Sequence, residues 1–336
     1  MEFNSYSSLE NHHNSKFISK IRELALDSGE WVAREKIHGT NFSVLITPDL
    51  IQPCKRSGVI LSAENFFGYE IIMKRYKESF EGLRASLSHL DLKSIQVFGE
   101  FAGSGIQKEV DYGEKEFYVF DMLMNYGGEV SYAEDKVVED LANHYGFKMA
   151  PLLGRGKFED LIKIPNDFQS RVNDFNALAS GGNTVETNET VWEVFADEEG
   201  PNVSEGYVLK PNKPVYLPNG SRVAIKCKNS KFSEKKKSDK LIQPPKELSE
   251  IDADVLTKFS EYATWNRVSN VVSKWGEVTA KDFGKVMGLT LQDIFVEAER
   301  EGLEISQAED PALVKKQLQK LVQEVIRERW SELLTD

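Results

Sequence analysis

The stretch EKIHGTN, residues 35–41, sets a lysine, a histidine and a glycine between two apolar, β-leaning runs, GEWVAR and FSVLI. Strand interiors seldom hold such residues, because a buried charge without a partner is costly. An amine within reach of an electrophile can attack it once the amine has lost its proton. Lys36 is therefore a candidate nucleophile. A plain hairpin turning at HGTN is the alternative. His38, two residues on, would share the face of Lys36 in a strand but not in a turn. Four further elements repeat the pattern of charge beside or inside an apolar run: KRSG (55–58), FGEFAG (98–103) with FYVFD (117–121), EGYVLK (205–210) and AIKCKN (224–229). Alternation puts Lys226 and Lys228 on one face of a strand. Several such charges cannot all be buried singly, so the set implies groups that face one another, or a ligand, in a common cleft.

The elements that must position these residues can be read from periodicity. Residues 30–46 read as strand, break and strand. Helix-like spacing runs through 64–90, 134–147 and 156–163. Residues 94–103 and 116–124 read as buried strands, and 207–210 and 222–228 as strands joined by a Pro/Asn/Gly turn. Residues 180–205 are polar and acidic and read as a surface excursion. After about residue 235 the pattern becomes helical, over 250–275, 281–301 and 311–334, with Pro311 suited to a first helical turn. The expected layout is a mixed α/β domain over 1–234, a basic linker over 235–249 and a helical domain over 250–336.

Composition narrows the class. The chain has 336 residues, 40% hydrophobic and 29% charged, as expected of a globular protein of two domains. It shows no run long and apolar enough for a membrane span and no signal peptide, and a cytoplasmic location is expected. Its two cysteines, Cys54 and Cys227, favour a reducing compartment over a disulfide framework. The net charge of −12 argues weakly against nucleic acid. Residues 226–240 run the other way, with seven lysines against one glutamate and one aspartate. They read either as a basic linker or as a local phosphate-facing surface.

The five elements, in this order and spacing, resemble the covalent nucleotidyltransferases, the superfamily of polynucleotide ligases and messenger RNA capping enzymes. KIHGTN, VFGEFAG, EGYVLK and AIKCKNSKFSEKKKSDK resemble more closely the bacteriophage RNA ligase 2 family, which seals nicks in duplex RNA and is related to the RNA-editing ligases. The likeness covers essentially the whole chain. It implies an α+β fold: an ATP-grasp-like nucleotidyltransferase domain of antiparallel sheets, then a small all-α C-terminal domain. It implies ATP as substrate, Mg²⁺ as cofactor and nicked double-stranded RNA, with RNA at the 3′-hydroxyl end, as partner. Nothing in the sequence demands more than a monomer, and no membrane partner is expected.

Roles follow from the resemblance residue by residue. Lys36 would attack the α-phosphate of ATP, AMP would pass to the 5′-phosphate of a nick, and the 3′-hydroxyl would displace it. Lys226 and Lys228 would stabilise charge on the α-phosphate; edge-strand lysines are the plain alternative. Glu205 would hold the metal, and a hard oxygen donor suits Mg²⁺. Glu100 would meet a ribose hydroxyl, and Phe120 would stack on adenine unless it is ordinary core. Glu35, Ile37, Asn41, Arg56 and Lys210 carry over as further contacts to the nucleotide or its phosphates. His38 would act in the first step, or be structural. Thr40, Phe66, Phe67, Arg267 and Asp293 carry over as nucleic-acid contacts, although the two phenylalanines read equally well as core and the last two as a charged helix face. Capping enzymes and most DNA ligases follow the lysine pair with a small β-barrel. The helical periodicity after residue 240 disfavours capping independently of the resemblance. A DNA-nick ligase and an inactive nucleic-acid-binding relative remain as alternatives.

Overall fold

The computed structural model describes residues 2–173, 200, 202–232 and 248–334. The chain divides into two compact units, Met1–Asn229 and Ser230–Asp336. The acidic stretch over 180–205 and the basic linker fall mostly outside the described residues.

The first unit is built on two sheets. Sheet A holds β1 (Glu10–Asn11), β2 (Trp31–Glu35), β9 (Leu152–Gly156), β10 (Gly206–Pro211) and β11 (Ile225–Lys228), in the order β1-β11-β10-β2-β9. Sheet B holds β3 (Thr40–Ile46), β4 (Ile51–Lys55), β5 (Gly58–Val59), β6 (Ser94–Ala102), β7 (Glu116–Asn125) and β8 (Val130–Tyr132), in the order β5-β4-β3-β6-β7-β8. All pairings within the sheets are antiparallel except that of β1 with β11.

The sheets share one design. On sheet A, Trp31, Ala33, Tyr207, Leu209, Ile225 and Cys227 form an apolar face with Phe17 and Ile21 of α1 (Ser15–Glu23). On sheet B, Phe42, Val44, Ile95, Val97, Phe117 and Val119 pack on α2 (Glu70–Arg75), α3 (Lys77–Ala85) and α4 (Asp135–Tyr145). Strand alternation sends the intervening residues to the opposite faces. Register confirms this for sheet A, where Arg34 and Lys226 both lie opposite Val208, and Lys228 opposite Gly206. The polar faces meet: Lys210 Nζ of β10 donates to the Phe120 carbonyl of β7 at 2.9 Å.

β2 and β3 are consecutive yet lie in different sheets. The break at residues 36–39 is therefore a crossover and not a hairpin turn, which corrects that alternative. The stretch 64–90 forms two short helices and not one. A short α5 (Phe158–Leu161) completes this unit's helices among the described residues.

The second unit is helical: α6 (Glu250–Ser260), α7 (Trp265–Trp275), α8 (Phe283–Arg300) and α9 (Pro311–Glu328), around Val255, Phe259, Val268, Ile294, Leu318 and Val322. Its helix starts are written in the sequence. Ser249, Thr264 and Asp310 each cap a helix by accepting a backbone N–H three residues on, and Pro311 takes the first turn after Asp310. Thr264 splits the expected 250–275 segment in two. Among the described residues no helix is long and apolar enough to cross a membrane.

Candidate active site

The crossover places Lys36 at the end of sheet A. Its backbone N–H donates to the Gly206 carbonyl at 2.8 Å. Its Nζ lies 2.7 Å from Glu205 Oε2, and the side chain stays 21% exposed. At the other end of the crossover, Gly39 runs so close to β6 that a Cβ there would collide with the Phe101 carbonyl. Glu205 is buried at the start of β10, next to Gly206, whose φ of +124° and contact with the Cys227 carbonyl leave no room for a side chain.

Three cations meet on Glu205. Lys36 Nζ and His38 Nδ1, the latter at 3.1 Å, share Oε2, and Lys228 Nζ lies 2.9 Å from Oε1. Burial alone would raise this carboxyl, but Lys228, Lys36 and His38 hold it well below the usual carboxylate range. On its other side, His38 Nε2 lies 3.1 Å from Glu109 Oε2. The hydrogen bond from His38 holds the Glu109 carboxyl down at about 2. Each ring nitrogen faces a carboxylate, an arrangement that favours the doubly protonated ring. Burial opposes that charge, yet the bonds to Glu109 and Glu205 raise its pKa overall.

Sheet B contributes Glu100, opposite Asn41 in register. Burial pushes its carboxyl up to about 7, with Lys36 pulling against that and Glu205 adding to it. Near neutral pH it can donate or accept a hydrogen bond. Phe120 sits at an irregularity of β7, between the pairs Phe98↔Asp121 and Gly99↔Val119. Such a bulge re-aims a side chain. The ring is half-buried, with Tyr6 edge-on at 4.9 Å. Arg56 lies in the turn after β4, and Lys226 keeps the face of Lys228.

The structure thus brings together Lys36, His38, Glu205 and Lys228, with Glu100 and Asn41 facing them. Other expectations are corrected. The Glu35 carboxylate points to the apolar side, opposite Tyr207, and accepts from Ser170 Oγ and the Arg171 N–H, both at 2.7 Å. Ile37 is buried, so contacts from either residue to a ligand would run through the main chain. The Lys210 ammonium is turned from the Glu205 cluster and held by Phe120 O at 2.9 Å and by Asp121 and Asp135, each at 3.3 Å. Phe66 and Phe67 are core: both are buried, and Phe66 stacks on Phe42. Thr40 is buried too. Arg267 is buried and pairs with Asp293 at 2.5 Å.

Sequence reading missed Glu109 and Tyr112, whose hydroxyl accepts the His38 N–H at 2.9 Å. It also missed a buried lattice. Arg34 binds Asp135 at 2.8 Å and Glu139 at 2.6 Å, Arg155 binds the same two at 2.7 Å each, and Arg222 binds Asp121 at 2.6 Å. Tyr6 donates to Asp121 at 2.9 Å. Arg34 lay in plain view in GEWVAR, a charge inside an apolar strand.

Among the described residues no group of three His, Cys, Asp or Glu is arranged to hold a metal. Mg²⁺ usually takes one or two protein carboxylates and completes its shell with water and phosphate oxygens. An ionised Glu205 beside Glu100 fits that mode.

A family model of RNA ligases matches residues 29–228. The chain belongs to the RNA ligase family. A second model, the T4 RNA ligase 2 C-terminal family, matches residues 246–324, in agreement with the resemblance read from the motifs. The mitochondrial RNA-editing ligase 2 of Trypanosoma brucei brucei is 30% identical over 97 residues, 28% of this chain and 23% of that protein. The mitochondrial RNA-editing ligase 1 is 38% identical over 63 residues, 18% of this chain and 13% of that protein. The chain thus spans less than a quarter of the length of these relatives. Among solved structures, a Naegleria gruberi RNA ligase with pyrophosphate aligns over 69% of this chain and 58% of that one, at 17% identity and a TM-score of 0.45. A mutant of the same ligase with ATP and Mn gives 16% identity over the same shares.

Proposed function

We propose that this RNA ligase family member is an ATP-dependent RNA ligase that seals 3′-hydroxyl/5′-phosphate nicks in duplex RNA through a lysyl-AMP intermediate. The observation that carries the reading is the partly exposed Lys36 amine held on Glu205 beside Lys228, with His38 on the same carboxylate. In the first step the Lys36 ammonium gives up a proton to solvent, an N–P bond forms at the α-phosphate of ATP as the bond to pyrophosphate breaks, and the nitrogen sheds a second proton to leave a phosphoramidate. AMP then passes to the 5′-phosphate of the nick, and the 3′-hydroxyl displaces it.

This chain's own groups supply most of what the steps need. Lys228 offers positive charge where charge develops on phosphate. Asn41 and Glu100 lie on one face of sheet B, suited to sugar hydroxyls, and Phe120 offers a ring edge-supported by Tyr6. A divalent cation, when bound, would neutralise Glu205 in place of Lys36 and withdraw charge from the phosphate oxygens.

The test is label transfer. With Mg²⁺ and α-labelled ATP the protein should acquire acid-resistant label, and Lys36→Ala should lose it by more than about a thousandfold. Undiminished label in that variant would sink the covalent mechanism. Label from GTP would point to capping. Matched nicks with ribose or deoxyribose at the 3′-hydroxyl end test the substrate: efficient sealing of all-DNA nicks would favour the DNA-nick alternative.

A further inference from the structure

We propose that Glu109 is a positioning residue for the nucleotidyl-transfer step, holding the His38 ring from the side opposite Glu205. The inference rests on the reading of Lys36 as the attacking amine.

Glu109 lies in the connection between β6 and β7, residues 103–115, with its side chain 29% exposed. It nevertheless reaches His38 Nε2 at 3.1 Å, the same distance at which Glu205 holds Nδ1. The ring is gripped at both nitrogens, so it can neither flip nor swing. The same loop holds His38 a second time, through the bond from its N–H to the Tyr112 hydroxyl at 2.9 Å.

The loop is itself fixed. Ser104 donates to the Gly113 carbonyl through both its N–H, at 3.0 Å, and its hydroxyl, at 2.8 Å, closing the base. Asp111 and Asn202 exchange bonds at 2.7 and 2.8 Å. Asn202 stands three residues before Glu205, so the loop that carries Glu109 is tied to the segment that carries Glu205. The Lys108 N–H, at 3.1 Å, orients the Glu109 carboxylate further.

What this positions is the amine. Lys36 and His38 use the same oxygen, Glu205 Oε2. Where the ring lies on that oxygen decides which direction is left for the ammonium. Without Glu109 the imidazole could rotate about its side-chain torsions and crowd Oε2, and Lys36 would lose its fixed place. Small misplacements of a reacting group are expensive in rate.

The experiment compares wild type, Glu109→Ala, Glu109→Gln, His38→Ala and Glu109→Ala combined with His38→Ala, each checked for an unchanged melting temperature. The reading is the rate of label transfer from α-labelled ATP across ATP concentrations. Glu109→Ala is expected to slow transfer at saturating ATP by about ten- to a hundredfold, with little change in the ATP KM. Glu109→Gln, which keeps an acceptor oxygen, should recover part of that rate. The double variant should be no slower than His38→Ala alone, because Glu109 acts through His38. Transfer by Glu109→Ala at or above the wild-type rate would overturn the inference and make Glu109 a stand-in for a bound anion. So would a loss confined to KM, or a double variant with additive losses. Absence of label on the wild-type protein would remove the lysyl-AMP reading and this inference together, whereas equal labelling of wild type and Glu109→Ala removes this inference alone.

Discussion

Arg34 lies near the end of β2 and Lys36 stands two residues on, just past that end, yet they enter two different charge clusters. Around Arg34 the cluster is closed. Arg34, Arg155, Lys210 and Arg222 meet Asp121, Asp135 and Glu139, and Asp121 and Asp135 are 0% exposed. The guanidinium forks of Arg34 and Arg155 hold Asp135 and Glu139 from two directions, which suits permanent contacts. Around Lys36 the cluster is open. Its cations are an ammonium on a flexible stem and an imidazole, they converge on one carboxylate, and the outer members, Lys36 and Glu109, touch solvent. The sign of the charges does not separate structure from chemistry here, since both clusters bring cations onto buried carboxylates. Closure does: a charge whose every donor is matched can only hold, whereas one left reachable can exchange partners.

That comparison can be broken by experiment. The largest effect belongs to the closed cluster. Asp135→Asn leaves Arg34, Arg155 and Lys210 short of a buried acceptor, and the loss should be about 3–5 kcal/mol in a denaturant titration. A loss as small as that of a surface pair would show that the lattice is not the rigid floor of the site.

A middle-sized effect tests the open cluster through pH. The folded protein holds the Glu100 proton up to about 7, against an ordinary 4.5. Folded Glu100 therefore binds its proton more tightly than unfolded Glu100 does. That contribution is fully present below 4.5 and is lost as pH rises through about 7. Glu100→Gln has no such loss, so its melting temperature should gain on the wild type by a few degrees between acid and mildly alkaline buffer. A constant difference across that range would mean Glu100 is ordinary.

The smallest effect is expected where the same charges meet on the surface. Arg22 and Glu159 pair at 2.8 Å, each about half exposed. Arg22→Ala should leave the midpoint of a denaturant titration nearly unchanged. A large shift would mean that burial is the wrong variable for ranking these pairs.

Much of this was legible in the chain. The strands of FGEFAG and FYVFD and the helices after residue 248 follow from periodicity, and the starts at Glu250, Trp265 and Pro311 each carry a capping side chain. Lys36, Glu205 and Lys228 could be grouped because repeated charges in apolar strands must face one another. Depth could not be read. Alternation gives Lys210 its face but not its place along the strand, which puts it among Asp121 and Asp135 and away from Glu205. Adjacent aromatics at 66–67 look the same whether they serve a ligand or a core. Glu109 sits in no regular element, and its partner is 71 positions away in sequence; only the closed loop brings them together.

The crossover from β2 to β3 has one more consequence. The chain has four residues, Lys36 to Gly39, in which to leave one sheet and join the other, and the Lys36 amine is on the first of them. Any change in the spacing of the sheets must pull on this short tether, so the amine works as the needle of a caliper. A group carried on Lys36 would be registered by both sheets at once, and a ligand filling the gap between them would reset the needle.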